Sequence, residues 1–199
     1  MRLADLLAEL MPDDAEALGL LALLLLTDAR RDARTDAAGD AVALDDQDRA
    51  RWDRAQIDAG VAVLHRALRL ARPGPYQVQA AIAAVHAEAP TSGATDWPQI
   101  AALYASLERL DPSPVVTVNR AVALGRAEGA RAGLAVLGPL VDDERLARYQ
   151  PLHAARAELL REAGDLDGAR AAYRRAVELT DNARARAALV RRAGSLAPP

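Results

Sequence analysis

Gly164-Asp165 is followed by Ala169, Tyr173 and Ala176, so a small residue stands five positions after the glycine, an aromatic nine and another small residue twelve. At helical periodicity the last three share one face. Small side chains there let a second helix approach closely, and the aromatic ring fills the space between the two axes. The spacing predicts the second helix of a helical hairpin, entered through a glycine turn. Residues 2–11 read as the end of another such second helix, stopped at Pro12, with its partner first helix lacking. The chain thus reads as one that opens halfway through a repeat and was cut from something longer.

Between these two ends the helix punctuation is legible. Asp13, with Glu16 three residues on, predicts a capping box at the start of a helix that runs through Leu18, Leu21 and Leu25 to about Ala29. A polar insertion covers 30–51, with a turn at Gly39-Asp40 that makes 34–45 a candidate small β-hairpin. Ile57, Val61, Leu64, Leu68 and Leu70 predict one long helix from about Asp46 to Ala71, ended by Pro73-Gly74-Pro75. A helix from Tyr76 to about Glu88 follows, with Val78, Ile82 and Val85 inward. Asp96 caps the next, which carries Pro98 in its first turn and a buried face of Ile100, Leu103, Tyr104, Leu107 and Leu110. Ser113-Pro114 opens a helix over 115–127. Further segments are expected at 130–137, 142–149, 151–163, 166–180 and 183–194. The last is expected to cap the array, because a terminal hairpin otherwise exposes its apolar face.

These segments pair into four hairpins, 14–71, 75–110, 114–138 and 149–180. The last three start about 35 to 39 residues apart, near the roughly 34-residue period of tetratricopeptide repeats. The expected fold is all-α: a single domain over 1–199, tetratricopeptide-like, with a half-repeat helix at 2–11 and a capping helix at 183–194. Composition agrees. Of the 199 residues 51% are apolar, yet only 3% are aromatic and none is Phe, which suits close-packed helices better than strands.

The same composition bounds function. Without cysteine there are no disulfides and no thiolate metal sites. A net charge of −3 argues against a sequence-independent nucleic-acid surface. The longest apolar run, Leu18 to Leu26, is too short to span a membrane, and Arg2 leads into an acidic amphipathic segment rather than a signal peptide. A cytoplasmic protein is expected. His65, His86 and His153 lie on separate segments, and no nucleophile elbow or phosphate-binding glycine loop occurs, so no enzyme, metal or cofactor is expected.

Two constellations remain as candidates. The run Asp45-Asp46-Gln47-Asp48-Arg49-Ala50-Arg51-Trp52-Asp53 packs acids, donors and a tryptophan together. It can pin an irregular connection with Trp52 as anchor, or present a docking patch. Asn119-Arg120, with Gln79 in the matching place one hairpin earlier, can line a groove and bind the backbone of an extended segment, or bridge helices inside the array.

The stretches from Leu6 to Leu23, Leu44-Asp-Asp-Gln-Asp-Arg-Ala-Arg-Trp52-Asp, Arg72-Pro-Gly-Pro-Tyr76-Gln-Val-Gln-Ala-Ala-Ile82-Ala-Ala-Val-His86-Ala and Ser113-Pro-Val-Val-Thr-Val-Asn119-Arg-Ala-Val-Ala resemble the C-terminal extension of a group of bacterial extracytoplasmic-function sigma factors of RNA polymerase. These carry a tetratricopeptide-like tail after two promoter-reading domains. The resemblance covers essentially the whole chain but not those domains, so it implies a regulatory tail that does not bind promoter DNA by itself. The partners it implies are the sigma core domains, RNA polymerase or another regulatory protein. Asp46, Gln47, Asp48, Arg49, Trp52 and Tyr76 are interface or framework candidates, beside Gln79, Asn119 and Arg120. The other reading is a generic peptide-binding adaptor. Self-association is expected through the apolar N-terminal helix.

Overall fold

The computed structural model describes residues 2–196, and these form ten α-helices with no strand. The chain divides into two compact units, Met1–Asp111 and Pro112–Pro199. The first holds α1 (Arg2–Leu10), α2 (Ala15–Asp28), α3 (Arg54–Arg69), α4 (Pro75–Glu88) and α5 (Trp97–Leu110). The second holds α6 (Pro114–Glu128), α7 (Ala130–Leu137), α8 (Gln150–Glu162), α9 (Leu166–Glu178) and α10 (Ala183–Gly194). Four hairpins result: α2–α3, α4–α5, α6–α7 and α8–α9. This is the all-α helical array that the spacing predicts.

The glycine-led spacing is best expressed at α8–α9. Gly164 takes φ 85 after the end of α8, with the Asp165 amide donating to the Leu160 carbonyl and the Gly164 amide to that of Arg161. This Schellman geometry satisfies carbonyls the helix leaves open. Ala169, Tyr173 and Ala176 are all buried, and they share a core with Ala157 and Leu160 of α8. Leu189 of α10 and Leu196 join that core, so the last helix does cover the hairpin. At α6–α7 the approach is closer still. A Cβ built on Gly133 would lie 2.6 Å from the Ala121 carbonyl oxygen and 3.1 Å from the Gly125 Cα.

In the first unit, Ala4 and Ala8 of α1 pack on Leu18 and Leu21 of α2, while Leu3, Leu6 and Leu10 stay exposed. A second cluster joins Ala22, Leu26, Trp52, Ile57, Leu64, Ala80, Ala84 and Ala87. Most of its members are small, and Gly60 of α3 meets Leu26 of α2, so the core is made by close backbone approach more than by bulky side chains.

Several elements differ from the sequence-based expectation. The N-cap of α2 is Asp14, not Asp13: its Oδ1 accepts from the Ala17 amide at 2.7 Å. Glu16 then stands one position too early to fold back, so the capping box does not form. The long helix expected from Asp46 is broken into two 3-10 turns, Leu44–Asp46 and Arg49–Arg51, before α3 begins. Asp48 and Asp53 cap in succession, accepting from the Ala50 and Gln56 amides, and the backbone is extended at Gln47 and Trp52. That extension carries the Trp52 ring into the core. Leu68, expected inward, is exposed; α3 buries Ile57, Gly60, Leu64 and Ala67 instead. Leu110 of α5 is exposed too. The expected β-hairpin reduces to one isolated antiparallel bridge, Thr35 with Ala41: outward from it the chain enters a 3-10 turn on each side, Arg31–Ala33 and Leu44–Asp46, while the Asp36 side chain closes the turn by accepting from the Ala38 and Asp40 amides. The segment expected at 142–149 is a single 3-10 turn, Glu144–Leu146.

Candidate functional site

Helix α4 is held at both ends by side chains from elsewhere in the first unit. Its N-cap position is Gly74, which has no side chain to offer the first amides. Glu16 of α2 fills that role. Its carboxylate accepts from the Tyr76 amide at 2.8 Å and from the Gln77 amide and side-chain amide, each at 3.1 Å. Gln77 is 1% exposed, and its side chain also donates to the Arg72 carbonyl. A negative charge thus sits on the positive end of the helix dipole. Gly74 makes room for it: a Cβ there would lie 2.2 Å from the Glu16 Cδ. Gly19 likewise lets α2 reach the α4 backbone, where a Cβ would meet the Gln77 amide nitrogen at 2.8 Å.

The C-terminal end of α4 is met by positive charge. Arg49 Nη1 donates to the carbonyls of His86 at 2.6 Å and Ala89 at 2.7 Å, and Arg54 Nη1 to that of Ala87 at 3.1 Å. The Arg49 guanidinium also lies over the Trp52 ring, 4.4 Å from its centroid, with that of Arg30 at 5.9 Å. Both are cation–π distances. The His86 ring stands edge-on to Trp97, centroids 5.3 Å apart. Burial, reinforced by the Arg30 and Arg49 charges, pushes the His86 imidazole down to about 4, so it is neutral near pH 7. Burial also lowers Arg30 and Arg49 from the ordinary guanidinium value, and neighbouring arginines add to the effect.

The candidate residues fall into two sets. Arg49 and Trp52 are buried and belong to the framework around α4. Gln47 donates to the Val42 carbonyl, Asp48 caps the second 3-10 turn, and Asp46 is exposed. Tyr76 is 43% exposed, with its amide committed to Glu16. Gln79 is half-buried on α4. In the second unit, Asn119 is exposed on α6 and Arg120 half-buried beside it. The residues that sequence reasoning passed over are Glu16, Gln77, Arg30 and His86. Glu16 read as a local capping residue, and Gln77 carries no signal that separates it from Gln79 two positions on.

A groove of about 480 Å³ opens between α3 and α5 across α4. Val61, Leu64, Leu68, Val85 and Leu103 give it an apolar lining, with His65, Glu88, Asp96 and Gln99 at polar positions. Gln79 is not part of it. Among the described residues no group of three or more His, Asp or Glu could hold a metal ion, and no helix is long and apolar enough to cross a membrane.

Residues 1–68 match a family of unknown function, DUF6596. No solved structure matches the chain. Its sequence is similar to the uncharacterized protein R00370 of Rhizobium meliloti (strain 1021), 50% identical over 183 residues, which is 92% of this chain and 43% of that protein. The chain therefore spans less than half the length of this relative.

Proposed function

We propose that this chain is a non-enzymatic regulatory and interaction module of an extracytoplasmic-function sigma factor, acting on the promoter-reading domains. The apolar groove between α3 and α5 carries the reading. Glu16, Gln77, Arg49 and Arg54 are committed to the two ends of α4, whereas the groove presents exposed Leu68 beside Leu64 and Leu103, surface of the kind that a partner helix covers. The resemblance supports the same reading. Its two most specific stretches, Asp46 to Asp53 and Gly74 to Ile82, hold the C-terminal end of α4 and form its first half, and Ala81 of the second lines the groove. The relative of more than twice this length is compatible with a module working beside further domains.

Binding in trans tests it. The two promoter-reading domains of a sigma factor of this group, titrated against the chain in a calorimeter, are expected to bind saturably. Leu68→Glu, placed on the groove and already exposed, is expected to weaken that binding at least tenfold with the helical circular-dichroism signal unchanged. Absence of binding by the parent chain, or equal binding by the variant, refutes the proposal.

A further inference from the structure

Helices α3, α4 and α5 line the groove over matching lengths, Val61 to Leu68, Ala81 to Glu88 and Asp96 to Leu103. Each is seven residue steps, a rise of about 10 Å, or two helical turns. The two ends of the groove differ. Helices α4 and α5 form a hairpin through the loop at 89–95, so Glu88 and Asp96 stand at one end, and Ala81 and Leu103 toward the other. Arg54 at the start of α3 donates to the Ala87 carbonyl, so α3 also runs antiparallel to α4 and brings exposed Leu68 to the apolar end. Two carboxylates thus share one mouth of a groove whose lining holds no arginine. Asp96 caps α5 through Oδ1, which accepts from the Gln99 amide and leaves Oδ2. Glu88 is exposed, and among the described residues none bonds to its carboxylate, since Arg49 and Arg54 are turned to the carbonyls of His86, Ala87 and Ala89. As the last residue of α4, Glu88 also places negative charge at the negative end of the helix dipole, against the preference of the helix itself.

We infer, on the reading that this groove is the docking surface, that it selects a cationic amphipathic helix of the partner. Two turns of that helix lay apolar side chains at i, i+3 or i+4, and i+7 along the floor, and a lysine or arginine at its end meets Glu88 and Asp96. A helix bearing carboxylates at that end is repelled, so the acidic mouth sets both the choice of partner and its register along the groove. The exposed leucine face of α1 carries Asp5 and Glu9 against the single Arg2, which makes it the wrong sign to fill the groove of a second copy.

Two rhodamine-labelled, hydrocarbon-stapled helical peptides test this by fluorescence anisotropy against the whole chain. They share three leucines at i, i+4 and i+7 and differ only in ending on two lysines or two glutamates. The lysine peptide is expected to bind saturably and at least tenfold more tightly than the glutamate peptide. Glu88→Gln combined with Asp96→Asn is expected to abolish that preference by weakening the lysine peptide. Its Tm should not fall, because asparagine still caps α5 and the charge opposing the α4 dipole is gone. Leu68→Gln is expected to weaken the lysine peptide at least fivefold, and Asp5→Asn with Asp13→Asn, remote from the groove, to leave the preference intact. Four results overturn the inference: no binding of the lysine peptide; equal binding of the two peptides; loss of the preference in the Asp5, Asp13 variant as well; or unchanged binding by Leu68→Gln. Equal binding with both peptides weakened by Leu68→Gln removes the charge selection and leaves the groove as a docking surface. The expected peptide behaviour without any binding of the promoter-reading domains refutes that choice of partner alone.

Discussion

Glu16 and Gly74 act as one device, and a double-mutant cycle exposes it. Glu16→Ala removes the acceptor from the Tyr76 and Gln77 amides at the start of α4. Loss of an N-cap costs about 1 kcal/mol, and loss of the negative charge at the positive helix end up to about 1 kcal/mol more. The Gln77 side chain keeps its bond to the Arg72 carbonyl, which limits the damage. About 2 kcal/mol of destabilisation is expected. Gly74→Ala reaches the same end by another route. The Gly74 backbone is extended, φ −147 and ψ 170, so alanine fits it without strain, but its Cβ would lie 2.2 Å from the Glu16 Cδ and 2.5 Å from Oε1. The carboxylate must leave, at a similar cost of about 2 kcal/mol. With Glu16 already alanine there is nothing to displace, and the alanine restricts the unfolded chain, returning about 0.5 kcal/mol. The double variant is therefore expected to be no less stable than Glu16→Ala alone, a coupling of about 2 kcal/mol. Urea denaturation followed by tryptophan fluorescence measures it in the right place, since Trp52 and Trp97 both lie in the first unit. Additivity within about 0.5 kcal/mol refutes the reasoning.

Ala71 follows the end of α3 with φ 54, a left-handed conformation that only glycine adopts freely. Ala71→Gly is expected to stabilise the first unit by about 0.5–1 kcal/mol after glycine's extra unfolded-state freedom is counted, and a lower urea midpoint would contradict this. His86 makes stability pH-dependent. Its imidazole is held at about 4 in the folded protein against an ordinary 6.5, so between those values the unfolded chain binds the extra proton and acid favours unfolding. Stability is expected to be complete above pH 6.5 and to decline as pH falls toward 4, by roughly 1–2 kcal/mol at pH 5 after allowing for solvent screening. His86→Gln should remove that slope, and an unchanged urea midpoint between pH 7 and pH 5 in the parent would contradict it. Gly133→Ala puts a Cβ 2.6 Å from the Ala121 carbonyl, a backbone atom that cannot swing aside. It is expected to lower the second unit's stability by about 1–3 kcal/mol, read as an earlier far-ultraviolet circular-dichroism transition.

Local grammar carried most of the architecture. Gly164, Pro114, Asp96 and Pro75 each act through the few residues that follow, and every one starts or ends a helix where the spacing predicts. Errors arose where a local pattern admitted two uses. Asp13 and Asp14 are equally good caps by residue type, and the choice between them decided whether Glu16 closed a local box or reached α4. The helix read from Ile57 onward was expected to begin near Asp46, but Asp48 and Asp53 each accept an amide two or three residues ahead, so a second 3-10 turn starts after Asp48 and α3 only after Asp53. The run around Trp52 showed its density of donors in the sequence. Its targets, the carbonyls of His86, Ala87 and Ala89, did not show, because nothing in a one-dimensional pattern relates residues more than thirty positions apart. Gln77 and Gln79 illustrate the same limit: one is buried and doubly bonded, the other only half-buried, and helix phase alone separates them.

The borrowed caps of α4 also order events in time. Its N-terminal amides are satisfied from a residue 60 and 61 positions away, and its last carbonyls from residues 33 to 40 away. Neither end can be closed until α2 and the 3-10 turns before α3 have come together around it. Loop closure over such distances precedes any reward, so the ends of α4 are completed after the folding barrier while its alanine-rich middle has the local propensity to form before it. Substitutions at Glu16 or Arg49 should consequently hasten unfolding far more than they slow folding. It is the two ends of α4, not its middle, that close the first unit last.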